Sequence, residues 1–472
     1  MSRSEIMETY QVPAIIGEAT VNIVQIGKSL HYNVTEPPYS QEEYERALSI
    51  IRSGKAMLYT ETDHELKEHV ESGISPGSLY VLLREVRGSG KVDILLRDSY
   101  IEDISCEGPD YPVYVFLRKY GYIPTDIRFT SDELDAFIRR TVQSTGKQIS
   151  SAVPMVDTTL PDGSRLHAFL GDFVSTRGSS FTIRRFRETP LSFMDMIELG
   201  TANEDIMAYL WVAIEFGSNV MVIGGTASGK TSFLNSILQF IPKNRKLITI
   251  EDTREIKIIH ENWLQMVTRP GTPGTGGTIG SSEISMFSLL EASLRHRPNY
   301  LVVGEVRGRE SYTVFQAMSA GRYALSTFHA EDFDSFVHRM EAKPISIPRS
   351  IISSLDLVIL LRAVSTRQGI IRKVFDISEI LAVEPSTNDV ITNALYVLNG
   401  DEYLYSGSSH VLDAIAFREG LSEEDIRRMI RERRLLIRKL KERGIRDYNA
   451  LSAIVSRLQR EPESVLMEFG IT

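Results

Sequence analysis

The residues best suited to chemistry are Gly224, Gly225, Thr226, Ala227, Ser228, Gly229, Lys230, Thr231 and Ser232, whose order satisfies G-x-x-x-x-G-K-[ST]. Glycine lets main chain approach phosphate oxygens without a Cβ in the way, and Lys230 has the reach and charge for β and γ phosphates. The Thr231 hydroxyl is a hard oxygen ligand of the kind Mg²⁺ prefers. The flanks fit as well. The apolar run Val220 to Ile223 comes before, and Phe233, Leu234, Ile237 and Leu238 at helical spacing come after. A strand, a loop and a helix in that order surround an anion with backbone N–H groups and the positive end of a helix. Gly88-Ser89-Gly90-Lys91 lacks the full pattern and is expected as a hairpin turn.

Phosphoryl transfer also needs a carboxylate at the end of a neighbouring strand, within reach of metal or water. Tyr300 to Val303 is an apolar run followed by Gly304 and Glu305, so Glu305 can orient water, hold metal, or both. Gly304 stands where many P-loop enzymes carry aspartate. A second apolar run, Leu247 to Ile250, ends in Glu251 and Asp252, and a third, Ala324 to Thr327, runs into His329. Acidic strand ends that meet at the carboxyl edge of an open parallel sheet form a shared crevice.

The elements that must position these groups follow from periodicity. From Pro190 onward, compact apolar runs alternate with helical patterns, beginning with Ile206, Tyr209, Leu210, Ala213 and Ile214, which predicts an α/β domain with Val358 to Leu361 as a further strand. Residues 1–75 are expected to form a mainly helical extension. Residues 76–187 form an α+β domain, with strands at Val92 to Leu96, Tyr111 to Leu117 and Phe181 to Phe186. They also hold a helix capped by Ser131 and a Pro161-Asp162-Gly163 turn. A linker at 188–192, the α/β domain at 193–420 and a helical subdomain at 421–472 complete the chain. In that subdomain, Ser422 to Asp425 reads as a capping box, and Ile426, Met429, Ile430, Ile437 and Leu440 form one apolar stripe. Arg427 to Arg446 is mostly its solvated face. Pro270 to Gly280 reads as a glycine-rich loop, either a plain connector or a segment that orders over nucleotide or a neighbouring subunit.

Composition excludes several classes. With 472 residues, 42% apolar and 24% charged, the chain suits two to four ordinary folded domains rather than a disordered or fibrous protein. The single cysteine, Cys106, can make neither an intramolecular disulfide nor a multi-thiolate zinc site. The start of the chain lacks the pattern of a secretory signal. The longest uncharged stretch, Phe216 to Gly229, has 14 residues, short of the ~18 that a spanning helix needs. A net charge of −9 argues against broad nucleic-acid binding.

Taken in order, the P-loop, ITIEDTREI, YLVVGEVRGRE and LSTFHAED resemble the Walker A, Asp box, Walker B and His box of the secretion ATPase superfamily. IEDISCEG, LPDGSRLHA, FTIRRFRETP and HENWLQMVTRPG are similar to its archaeal branch, which serves archaella and type IV pilus-like filaments. The resemblance spans about residues 80 to 470.

It implies a RecA-like carboxy-terminal P-loop domain, a smaller α+β, PAS-like amino-terminal domain and a helical extension at each end. It further implies a homohexamer that hydrolyses ATP with Mg²⁺, with nucleotide between the two domains. The ring would be cytoplasmic, peripheral at the inner face of the membrane, acting on an integral membrane platform protein. Carried over by position, Lys230 and Thr231 match the phosphate and metal ligands, Glu251 and Asp252 the Asp box, Glu305 the Walker B glutamate and His329 the His-box histidine. Arg165, Arg184 and Arg185 resemble interface arginines, with Arg269, Arg307 and Arg309 as weaker candidates. Arg322 stands where many relatives have histidine, and no four-cysteine zinc module is present. Two other readings stay open: a conjugation-type DNA-transfer motor and a nucleotide-gated scaffold with little turnover. The basic helix from Arg427 makes anionic lipid a further candidate partner.

Overall fold

The computed structural model describes residues 4–53, 74–117, 119–185, 189–269, 284–366 and 369–471. They fall into two compact units, Met1–Arg187 and Glu188–Thr472. The loop at 270–280 lies outside the described residues, as do His64 to His69.

The first unit is built on a sheet of β1 (Ser4–Pro13), β2 (Glu18–Ile26), β3 (Ser29–Thr35), β4 (Ile101–Cys106), β5 (Pro112–Leu117), β6 (Gly121–Arg128), β7 (Met155–Thr159), β8 (Arg165–Phe169) and β9 (Ser180–Arg184). Their order is β1-β2-β3-β6-β5-β4-β9-β8-β7. The amino-terminal segment therefore departs from the expected helical extension. Ala19, Val21 and Ile23 alternate inward with polar neighbours, the two-residue period of a half-buried strand, and all three are fully buried. Among the described residues of this segment, a helix does form at Gln41–Arg52, where Ser40 and Glu43 make a capping box. This segment is tied to the rest of its unit by Tyr10 and Tyr32, whose hydroxyls both donate to Asp98 Oδ2 at 2.7 and 2.6 Å.

Three further expectations are corrected here. Val92 to Leu96 is helical: a short turn at Gly90–Val92 leads into Asp93–Arg97, because the Asp93 carboxylate accepts from Ser89 N and pairs with Arg97 one turn on at 2.7 Å. Gly88 to Lys91 consequently joins two helices instead of closing a hairpin. Thr130, not Ser131, caps the next helix, with Glu133 completing the box, although the expected apolar positions Leu134, Phe137, Ile138 and Val142 are all buried. The Pro161-Asp162-Gly163 turn does connect β7 to β8.

The second unit carries β10 (Val220–Gly224), β11 (Leu247–Glu251), β12 (Trp263–Val267), β13 (Tyr300–Val303), β14 (Tyr323–His329), β15 (Leu357–Thr366), β16 (Gly369–Val383), β17 (Val390–Asn399) and β18 (Glu402–Tyr405), ordered β12-β11-β13-β14-β10-β15-β16-β17-β18. Pairing is parallel from β12 through β15 and antiparallel beyond. β10, β11 and β13 are buried on both faces, so their side chains divide between two cores. Val220 and Val222 join one core with the helices Glu204–Glu215 and Lys230–Ile237, whereas Met221 and Ile223 join the other with Met286–Arg295, Glu310–Ser319 and Phe333–Glu341. This three-layer arrangement is the RecA-like fold expected from the sequence.

The helix Glu423–Glu442 begins at the expected Ser422–Asp425 box and packs its apolar stripe into the first core. Its basic side is not simply solvated. Arg433 is buried, pairs with Glu215 at 2.7 Å and lies over the Trp211 ring. Arg434 meets Asp205 and Lys441 meets Glu204, both at 2.9 Å.

Candidate functional site

The P-loop leaves β10 at Gly224 and ends at Gly229, which opens the helix at Lys230. Ala227 and Gly229 both have left-handed backbone, with φ of 58° and 88°, and that conformation turns successive N–H groups toward one side of a loop. A Cβ on Gly224 would stand 2.4 Å from the Leu361 carbonyl and 2.6 Å from Ser228 Oγ, so only glycine fits between β10 and β15 there. Buried Phe233, Leu234 and Ile237 fix the helix beneath the loop. No side-chain cap bonds its first turn, and an uncapped helix start joined to a nest of N–H groups suits a phosphate anion.

Lys230 Nζ donates to Gly224 O and Gly225 O, each at 2.8 Å, which holds the ammonium inside the loop. Burial lowers its pKa, and the nearby charges of Glu305 and Glu331 work against that shift. Thr231 is half-buried in the first helical turn beside exposed Ser232. These are oxygen donors of the right chemistry for Mg²⁺, with the Glu305 carboxylate one element away. Among the described residues, no group of three or more His, Cys, Asp or Glu side chains forms a separate metal cluster.

β13 does not touch β10. β14 lies between them, and Gly224 is the register partner of His329 at the end of β14. Beyond β13, Gly304 N donates to Ile250 O at 2.9 Å and Thr327 Oγ1 to Gly304 O at 2.8 Å, so the backbone carrying Glu305 is held from both sides. The Glu305 carboxylate pairs with Arg307. His329 is half-buried; its carbonyl accepts from Arg339, whose guanidinium stacks on the Phe328 ring at 4.8 Å.

The two Asp-box residues differ. Glu251 is 2% exposed; Oε1 accepts from Glu255 N and Ile256 N at 2.7 Å, and Oε2 accepts from Gln265 Nε2 at 3.0 Å. Burial pushes this carboxyl up to about 7 despite those donors. Its Cγ lies 3.2 Å from where a Cβ on Gly304 would stand. The missing side chain at 304 is thus the space that Glu251 fills. Asp252 is exposed and accepts from Thr268 Oγ1 at 3.1 Å.

Gly224 to Ser232, Glu305 and His329 therefore gather at one edge of the sheet. Two groups that sequence reasoning did not single out join them. Glu331 lies against Gly225, with Oε1 2.5 Å from where a Cβ would be, and its signal was its place two residues past His329. Arg372 on β16 donates from Nε to Ala227 O at 2.9 Å, and nothing local in the sequence marks it. Of the arginines, Arg307 meets Glu305, Arg309 is exposed at the start of Glu310–Ser319, and Arg269 bridges to Ile284. Arg165, Arg184 and Arg185 belong to the first unit. Arg165 and Arg184 are exposed register partners on β8 and β9, near Asp157 at 2.6 Å and Asp103 at 3.4 Å respectively. Arg185 turns inward to the Asp98 carbonyl.

A central P-loop strand, an intervening strand and then a strand ending in glutamate define a RecA-like P-loop domain. The family model described as Type II/IV secretion system protein matches residues 85–433, and the chain belongs to that family. It is 37% identical over 385 residues to the uncharacterized protein MJ0900 of Methanocaldococcus jannaschii, covering 80% of this chain and 68% of that one. It is 27% identical over 264 residues to the probable conjugal transfer protein TrbB of Sinorhizobium fredii, covering 55% and 76%. The solved ATPase DotB of Legionella pneumophila covers 75% of this chain and 91% of its own, at 16% identity and a TM-score of 0.44.

Proposed function

We propose that this protein is an ATP-hydrolysing hexameric motor that powers protein secretion, or assembly of archaellum or type IV pilus-like filaments, through an integral membrane platform protein. The observation that carries the reading is Lys230 held by two carbonyls of its own loop at the start of an uncapped helix, with Glu305 at the next strand end but one. The loop N–H groups and Lys230 bind the phosphates and stabilise the charge that spreads over the transferring group. Thr231 and Glu305 would hold Mg²⁺, which supplies charge neutralisation when bound. Glu305 orients the attacking water, and His329, the register partner of Gly224, is the group proposed to sense the terminal phosphate. Arg165 and Arg184, exposed on one sheet face, are the groups best presented to a neighbouring subunit.

Membership of the Type II/IV secretion system family supports this reading. No helix among the described residues is long and apolar enough to cross a membrane. The pairing of Arg434 and Lys441 within the chain weakens the case for the basic helix as a lipid-docking face. Similarity to a probable conjugal transfer protein favours a second reading, a DNA-transfer motor. Light scattering with Mg²⁺ and ATP, run beside steady-state phosphate release, tests the proposal. A ring of six copies that turns over ATP without nucleic acid is expected. A monomer that is active only with added DNA would select the second reading.

A further inference from the structure

Arg372 reaches the P-loop from an element that none of the motifs includes. β15 runs parallel to β10 as far as the Gly224 and Leu361 pair, then continues, and β16 returns beside it with Arg372 opposite Ala363. The hairpin therefore overshoots the loop and delivers Arg372 to its apex. There Nε donates to Ala227 O at 2.9 Å, and the side-chain stem crosses Gly229 so closely that a Cβ on Gly229 would lie 2.9 Å from Arg372 Cδ. Both contacted residues are the left-handed ones that shape the nest.

Charge gives the contact a purpose beyond holding the loop. The charged groups acting on Lys230 are Glu305, Glu331 and Arg307. Together with Lys230 they sum to no formal charge, whereas a nucleoside triphosphate brings several negative charges. A planar guanidinium beside the loop adds positive charge in a fork geometry that matches phosphate oxygens.

We propose that Arg372 is a nucleotide-binding residue whose guanidinium contacts phosphate oxygens of a nucleoside triphosphate held by Gly224 to Ser232, which makes β16 one wall of the site. The proposal rests on the ATP-binding reading above. It is tested by titrating full-length wild type, Lys230→Ala, Arg372→Ala, Arg372→Gln and Arg372→Lys with ATP by calorimetry at two salt concentrations, with a melting curve for each. Loss of a charge-assisted hydrogen bond predicts that Arg372→Ala and Arg372→Gln weaken ATP binding by roughly ten- to hundredfold. It also predicts a shallower salt dependence, with melting temperatures near that of wild type, and partial recovery in Arg372→Lys. ATP binding by Arg372→Gln within about twofold of wild type would reduce Arg372 to a latch on Ala227 and overturn the proposal. So would losses of affinity that merely follow losses of melting temperature. Wild type that binds no ATP overturns the ATP reading itself; wild-type binding that Lys230→Ala abolishes and the Arg372 variants leave intact overturns this inference alone.

Discussion

Lys230 and Glu251 are both charged groups taken out of water, and they answer to different tests. Lys230 is held by two carbonyls of its own loop, so Lys230→Ala should fold normally and weaken ATP binding by roughly ten- to hundredfold, measured by equilibrium titration beside a melting curve. Glu251 gives a pH prediction. Its folded pKa of about 7 lies above the ordinary 4.5, so between those values the folded chain holds a proton that the unfolded chain has released. Stability therefore falls as pH rises across that window. Glu251→Gln removes the titration and should gain on wild type by up to roughly 3 kcal/mol between pH 5 and pH 8, read by denaturant unfolding. Parallel curves for the two proteins would show that the carboxyl is not shifted. The P-loop residues, Glu305 and His329 were legible because each sits within a few residues of an apolar run. Arg372 was not, because only the β15 and β16 pairing brings it to Ala227.

At the scale of elements, the end of β13 and the end of β11 are fitted to each other through Gly304 and Glu251. Gly304→Ala would put a methyl group 3.2 Å from Glu251 Cγ, and Gly304→Asp, which restores the residue many P-loop enzymes carry, would need still more room. We expect each to cost about 1–3 kcal/mol, Asp more than Ala, and to lower turnover by displacing Glu305. Melting curves and phosphate release check both halves. Fully buried parallel strands such as Val220–Gly224 were legible as short apolar runs. The helix Pro76–Val86, whose residues 77–84 are all buried, was not legible. A helix buried on every side has no polar face to reveal its period. The Val92 segment failed for a related reason: the bond from Ser89 N to Asp93 decides it, and a side-chain bond of that kind leaves no trace in hydrophobic pattern.

At the scale of the whole molecule, each unit has its own polar anchor. In the first, Tyr32→Phe removes one of the two hydroxyls on Asp98 and should cost about 1–3 kcal/mol, seen as a lower unfolding midpoint for that unit. In the second, Arg433→Met leaves Glu215 buried without its partner and should cost about 3–5 kcal/mol without altering the P-loop. The candidate site residues are divided in the same way. Gly224 to Ser232, Glu305 and His329 stand on one unit, and Arg165 and Arg184 on the other. Hydrolysis that depends on both sets would require the arginines to act on a nucleotide bound elsewhere than in their own unit.

The most direct measurement is steady-state phosphate release from Mg²⁺-ATP by wild type and Glu305→Gln, with ATP affinity determined on the same preparations. The motor reading predicts that Glu305→Gln binds ATP about as tightly as wild type while its turnover falls by roughly a hundredfold or more. Equal turnover in the two proteins would contradict it and leave ATP as a ligand that gates assembly.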